Sequence, residues 1–225
     1  MTLLAHAIAA APPVSFGTDG LRGHRLAWSE SGGLGIWSTD LEAEVKLARP
    51  DALEHHRLVE RICAAQPCLP VRFGTVFPSA DAARASLDRR AEALRASLAR
   101  VAGKSELALT LLWREPPTLE AVEATGGPGR RYLAARRGAY LVRESRRARA
   151  ESMVKRLVTQ LAIERPLVWH ETCTSESVAV SLAVLVPTEL SLARKADLMT
   201  LASEFSDVTP VVNGPWPPYT FARTD

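Results

Sequence analysis

The sequence predicts an α+β fold in two domains, the second of them a split βαβ, ferredoxin-like arrangement. Three observations carry this. From residue 106 to residue 212, two-residue and helical apolar periods follow one another in the order β-α-β-β-α-β. That is the order of a four-stranded antiparallel sheet backed by two helices. Residues 1–103 carry strands, a hairpin and two helical patterns of their own, enough for a separate α+β domain. Between those two helical patterns runs Leu69-Pro70-Val71-Arg72-Phe73-Gly74-Thr75-Val76-Phe77, which reads as a short buried strand around which the first half is organised. The domains are accordingly placed at 1–103 and 104–225, although the strand from residue 106 could pair with either half.

The elements follow in order. Residues 2–9 suit a first strand, broken by Pro12-Pro13 and followed by the Gly17–Gly23 loop. That loop has no lysine and hydroxyl residue in phosphate-loop spacing, so it is read as a loop only. Leu26 and Trp28 lead into Ser31-Gly32-Gly33, and Leu34, Ile36 and Trp37 lead out, the clearest hairpin in the chain. Packing of Trp28 and Trp37 within the sheet is preferred to ligand stacking. Asp51-Ala52-Leu53-Glu54 resembles a capping box opening a helix to about Ala64. In the strand at 69–77, alternation places Val71, Phe73, Thr75 and Phe77 on one face, and Arg72 on the other with Gly74 and Val76. Ser79 caps the next helix, whose apolar positions Ala83, Leu87, Leu94, Leu98 and Val101 run to a C-terminal Gly103. The second half predicts a strand over Glu106–Trp113 and, beyond the break at Gly126-Gly127-Pro128-Gly129, a long helix from about Arg130 to Glu164. Strands at 167–173 and 178–186, a helix capped by Thr188 and a last strand at 208–212 complete it. The closing Trp216-Pro217-Pro218-Tyr219 is aromatic and stiff, suited to packing over a sheet edge or to docking a partner.

Composition narrows the function. The 225 residues are 47% hydrophobic and 24% charged, ordinary for a globular chain. Apolar runs are too short to cross a bilayer, and the N-terminal stretch lacks the basic flank of a signal peptide. A net charge of +3 does not by itself imply nucleic acid. The three cysteines, Cys63, Cys68 and Cys173, argue against a disulfide framework and fit a reducing cytoplasm. His55, His56, Cys63 and Cys68 match no common zinc spacing, so no metal is expected.

Charge distribution says more. Arg130, Arg131, Arg136, Arg137, Arg143, Arg146, Arg147 and Arg149 open the long helix, opposed there only by Glu144. Such a helix could follow phosphates without sequence preference, or meet an acidic protein surface. A solvated or protein-contacting surface is preferred. No Ser-His-Asp order, zinc-protease motif, Walker lysine or Rossmann glycine pattern is present. His170 and Glu171 are adjacent on a strand and face opposite ways, and Cys173 is read as structural. The chain is therefore expected not to be an enzyme and to need no cofactor.

Several segments together resemble one family, the gas vesicle accessory proteins GvpF and GvpL. They are the strand opening at Leu3, His56-Arg57-Leu58-Val59-Glu60, the run Leu69–Phe77, and Gly103-Lys104-Ser105-Glu106. Two more are Gly127-Pro128-Gly129-Arg130-Arg131-Tyr132-Leu133 and Gly214-Pro215-Trp216-Pro217-Pro218-Tyr219-Thr220-Phe221. The opening strand carries Thr2 and Ala5 where the family tends to have aromatic or glycine residues, and the spacer from Pro116 to Ala124 is short. The resemblance implies an N-terminal α+β domain and a modified ferredoxin-like C-terminal domain. It also implies a non-enzymatic assembly or minor structural role at the gas vesicle, on its inner surface or in the cytoplasm. The partners would be the small hydrophobic shell protein of the GvpA type and other accessory proteins, with no nucleic acid and no membrane. The residues expected to face a partner are Arg72, Arg130, Arg131, Arg136, Arg137, Arg143, Arg146, Arg147, Trp216 and Tyr219. A nucleic-acid-binding module using the arginine helix is the alternative.

Overall fold

The computed structural model describes residues 2–11, 19–41, 46–116, 127–164 and 167–222. The Pro12-Pro13 break, the start of the Gly17–Gly23 loop, Gly126 and the spacer beyond Pro116 lie outside the described residues. The chain forms two compact units, Met1–Glu106 with Trp216–Asp225, and Leu107–Pro215. The closing segment thus joins the first unit rather than the second domain expected for it. The reason is local: the Glu106 carboxylate accepts hydrogen bonds from the Thr220 amide (2.8 Å) and hydroxyl (2.7 Å), and Arg100 donates to the Phe221 carbonyl.

The first unit is built on β1 (Thr2–Ala10), β2 (Leu26–Ser31), β3 (Leu34–Leu41), β4 (Cys68–Pro70) and β5 (Val76–Phe77), in the order β2-β3-β1-β4 with β5 also on β1. The hairpin between β2 and β3 turns through Gly32 and Gly33, both at positive φ, as the tight primed turns require. Trp28 pairs with Trp37 across the ladder, ring centroids 4.9 Å apart. The indole of Trp28 lies over Gly35, where any Cβ would enter the ring.

One strand over 69–77 does not form. Residues 68–70 and 76–77 both pair with β1, but Arg72, Phe73 and Gly74 loop out between them. The ladder continues on either side, Val71 donating to the His6 carbonyl and Ala5 to that of Thr75. Gly74 at φ 87° and the Thr75-to-Arg72 hydrogen bonds turn the loop. The single strand is lost but the alternation in exposure is kept: Val71, Phe73, Thr75 and Phe77 are half-buried, whereas Gly74, Val76 and Arg72 are exposed.

Helix α1 (Arg49–Ala65) begins earlier than expected. Asp51 is its third residue, where its carboxylate accepts from the Ala48 amide at 2.7 Å and grips the Arg22 guanidinium. These two contacts, Arg22 foremost, hold the Asp51 carboxyl down to about 2. Leu58 and Ile62 pack on Ala7, Ala9 and Trp37. Cys63 and Cys68 form a disulfide across the Pro67 turn, their Cα atoms 5.3 Å apart, contrary to the reading of unbonded cysteines. The helix expected from Ser79 to Gly103 is two, α2 (Ala80–Arg89) and α3 (Ala91–Val101), bent at Arg90 (φ −118°, ψ 12°). No residue type marks that bend; Leu87 and Leu94 are buried on either side of it. Ser79 caps α2 as expected, accepting from the Ala82 amide.

The second unit has β6 (Lys104–Trp113), α4 (Pro128–Gln160), β7 (Val168–Thr172), β8 (Val178–Pro187), α5 (Ser191–Ser203) and β9 (Val208–Trp216). Its sheet order, β7-β8-β6-β9, is that of the split βαβ. Leu107, Leu109 and Leu111 on β6 meet Met153, Val154 and Leu157 of α4 and Leu198 of α5 in one core. Helix α4 stops four residues short of expectation, at Gln160, because Ala162 enters the left-handed region at φ 50° and Ile163 bonds back to the Val158 carbonyl. Strand β9 runs past 212 to Trp216, and a 3-10 turn at Thr188–Leu190 precedes α5.

Candidate partner-binding surface

At 1.5 Å per residue, the 33 residues of α4 make a rod about 50 Å long. Only its later part is packed: Ala150, Met153, Val154 and Leu157 are buried, whereas the residues from 129 to 149 are exposed or half-buried. What keeps this arm helical is local. Pro128 stands in its first turn, and alanine, arginine and leucine, all strong helix formers, dominate it. Its neighbours work against it, since Arg143 and Arg147 stand one turn apart with like charge.

The arm is not purely polar. Tyr132, Leu133, Tyr140 and Leu141 are 57% to 65% exposed among the arginines. At 100° per residue, apolar and basic side chains alternate round the whole circumference rather than separating into two faces. Arg130, Arg131, Arg136, Arg137, Arg143 and Arg147 are all exposed. Arg146 and Arg149 are not simply solvated. Arg149 pairs with both oxygens of Asp207 at 2.9 and 3.0 Å, which lowers the Asp207 carboxyl and raises the guanidinium. Arg146 lies over the Trp113 ring at 4.9 Å and donates to the Glu115 and Glu176 carbonyls at 2.6 and 3.2 Å.

Around Arg146 the arm forms one wall of a cleft of about 480 Å³. Ala139, Val142, Arg143 and Arg147 come from α4, Trp113 from the end of β6, Thr172 from the end of β7, and Cys173 and Ser175 from the β7–β8 connection. The Trp113 amide donates to the Ser177 carbonyl, which brings these distant stretches together. Cys173 has φ 53°, and burial pushes its thiol up. Sequence reasoning noticed the arginines but missed Trp113 and the exposed tyrosines and leucines; apolar residues at 132, 133, 140 and 141 inside a basic run were the available signal.

The remaining site residues lie in the first unit. Arg72 and Tyr219 both line a cleft of about 770 Å³, with Ile8, Leu69, Phe77 and Leu94 among its apolar residues. Tyr219 stacks on His56 at 6.0 Å, and burial, with Glu60 nearby, pushes its phenol up to about 12. Trp216 is 40% exposed at the end of β9. Beside this cleft runs a buried polar chain that the sequence did not announce. A β-bulge between Ala5 and Ala7 turns His6 towards α1. The Leu21 amide donates to Thr39 Oγ1 (3.1 Å), and Thr39 Oγ1 lies 2.7 Å from His6 Nε2. His6 Nδ1 is 2.9 Å from His55 Nδ1, and His55 Nε2 is 3.0 Å from the Val71 carbonyl. Only one neutral assignment satisfies every atom: His55 donates to Val71, His6 to His55, and Thr39 to His6. Burial lowers both histidines, His6 to about 3.

Among the described residues no cluster of three metal-ligating side chains occurs, and no helix is long and apolar enough to cross a membrane. Two solved structures share the fold. GvpF from Anabaena sp. PCC7120 has a TM-score of 0.78 at 17% identity, covering 100% of this chain and 99% of that one. GvpF from Microcystis aeruginosa has a TM-score of 0.76 at 16% identity, covering 99% of each. Gas vesicle protein L2 of Halobacterium salinarum is 33% identical over 178 residues, and gas vesicle protein L1 of the same organism 28%. These matches take in 68% of this chain and 63% of the length of either relative. The description of the gas vesicle synthesis proteins GvpL/GvpF matches residues 4–223, and the chain belongs to that family.

Proposed function

We propose that this protein binds the small hydrophobic shell protein of the gas vesicle and supports vesicle nucleation or assembly at the inner surface, without catalysing a reaction. Family membership makes it a protein of gas vesicle formation. The observation that carries the finer reading is the arm of α4, where exposed tyrosines and leucines stand among exposed arginines. An apolar surface of this kind on a folded chain is characteristic of a partner contact. A shell protein that associates through strands has unpaired edges and apolar surface before assembly, and a chaperoning partner must cover them. The arm supplies apolar contact and positive charge, while the edges of the two sheets supply sites for strand addition.

Eight arginines against one glutamate also suit nucleic acid. The second sheet offers little for stacking bases, since β8 is Val-Ala-Val-Ser-Leu-Ala-Val-Leu-Val-Pro and the tryptophans are scattered, Trp169 on the edge strand β7 and Trp113 and Trp216 at the ends of β6 and β9. Pull-down of purified shell protein by the full chain, with and without competing RNA at two salt concentrations, separates the two readings. Retained binding that RNA does not displace is expected, and glutamate replacements across the arm abolish it. Failure to retain the shell protein, with steeply salt-dependent RNA binding, would replace this reading by the alternative.

A further inference from the structure

We propose that the cleft under the arm of α4 receives an acidic peptide segment of the partner, one in which carboxylates flank an apolar side chain. This rests on the partner-binding reading of the arm and adds its place and chemistry. The cleft, about 480 Å³, is two-natured. Its apolar wall is Trp113, Ala139 and Val142; its cationic rim is Arg143 and Arg147, exposed and one helical turn apart. Arg146 serves the site differently: placed over the Trp113 ring and bound to two backbone carbonyls, it is fixed as part of the wall.

Charge complementarity selects the occupant. A carboxylate between Arg143 and Arg147 relieves the repulsion of a like-charged pair and forms two charge-assisted hydrogen bonds. A phosphate backbone fits less well, because it carries a charge at every repeat and has no apolar side chain for the wall beyond the rim; Glu144 and Glu176, which also line the cleft, oppose any anion and confine the carboxylates to the Arg143–Arg147 side. A membrane surface needs a helix divided into basic and apolar faces, which this arm is not. A second copy of the chain would set one arginine arm against another.

Cys173 lines the same cleft and is the free cysteine among the described residues, so it reports on occupancy. The test uses the full chain and a fluorescent peptide alternating glutamate and leucine, with its glutamine counterpart as control. Anisotropy measures affinity, and N-ethylmaleimide labelling of Cys173, read by mass spectrometry, measures protection. The acidic peptide is expected to bind and to shield Cys173; the glutamine peptide is not. R143E/R147E, and separately V142W, which fills the cleft without changing charge, should each weaken binding about tenfold or more and abolish protection, whereas R89E, a charge reversal at an exposed position of α2, changes affinity by less than about threefold. Equal binding by R143E/R147E and V142W overturns the proposal, as does an oligonucleotide that binds and protects Cys173 equally well. The two levels separate cleanly. Loss of shell-protein capture on reversing the whole arm, with V142W and R143E/R147E unaffected, refutes the cleft alone. Peptide binding and protection without capture of the shell protein by the wild type refutes the identity of the partner alone.

Discussion

The buried histidine chain makes the first unit acid-sensitive by an amount that follows from the structure. His6 is fully buried, and its imidazole is pushed down to about 3 by burial first and by His55 second. In the unfolded chain the same group titrates near 6.5. A base whose folded pKa is depressed leaves the unfolded state holding the extra proton between the two values. Stability is therefore complete above about 6.5 and declines as pH falls from there towards about 3. From pH 7 to pH 5, His6 alone removes about 2 kcal/mol, at 1.4 kcal/mol per unit below its unfolded value. His55 acts in the same direction, because burial lowers it as well, and a proton added at its Nδ1 would face the His6 N–H across the 2.9 Å contact. Asp51 does not confuse this window: a lowered carboxyl contributes stability that is lost only as pH falls from about 3.8 towards about 2. The assay is urea unfolding of the wild type and of His6→Gln at pH 7 and pH 5, followed by tryptophan fluorescence. The wild type should lose about 2 kcal/mol more than the variant over this interval. Equal losses in the two proteins would refute the reasoning, whatever the variant's stability at pH 7.

Three further predictions are independent of that chain. Thiol titration of the denatured, unreduced protein should find one reactive cysteine, Cys173, and three after reduction; the double variant C63S/C68S should lose about 2 kcal/mol in denaturant unfolding, as expected for a short closed loop. Gly35→Ala should destabilise by about 2 kcal/mol or more in thermal melts, because the new methyl enters the Trp28 indole, and Gly35→Ala combined with Trp28→Ala should recover part of that loss. Thr220→Val should lose about 1.5 kcal/mol, because it removes a hydroxyl bond to the Glu106 carboxylate, and limited proteolysis should then cut the closing segment first.

The order of elements in the second unit was legible because its apolar periods are clean and its breaks are marked by proline and glycine. Leu107, Leu109 and Leu111 alternate, and Gly127-Pro128 opens α4 where a proline-led helix should begin. The misreadings occurred where long-range pairing overrode local pattern. Leu69–Phe77 looks like one strand because every residue tolerates extension, yet register on β1 requires Arg72, Phe73 and Gly74 to loop out. Gly74, at φ 87°, is the visible sign of that turn. At Arg90 no breaker exists, and Leu87 and Leu94, seven residues apart, would share one face of a straight helix, so nothing in the local pattern separates α2 from α3. Cys63 and Cys68 follow no motif spacing, and only the turn at Pro67 puts them within bonding distance.

The same distinction governs the candidate site. Net charge along a helix is a property of sequence, so the arginine arm could be read directly. A cleft is a property of topology: Trp113 and Cys173 are sixty residues apart in sequence, and only pairing of the end of β6 with the β7–β8 connection makes them neighbours. Topology also divides the arginines into two kinds that composition cannot separate. Arg146 and Arg149 are consumed by Trp113, by backbone carbonyls and by Asp207, so they hold the root of the arm to the sheet. Arg130, Arg131, Arg136, Arg137, Arg143 and Arg147 lie exposed beyond or beside that root. Replacing the first pair should therefore lower stability before it touches binding, and replacing the others should do the reverse. A scan in which all eight substitutions moved stability and binding together would mean that the arm is a structural strut and not a surface for a partner.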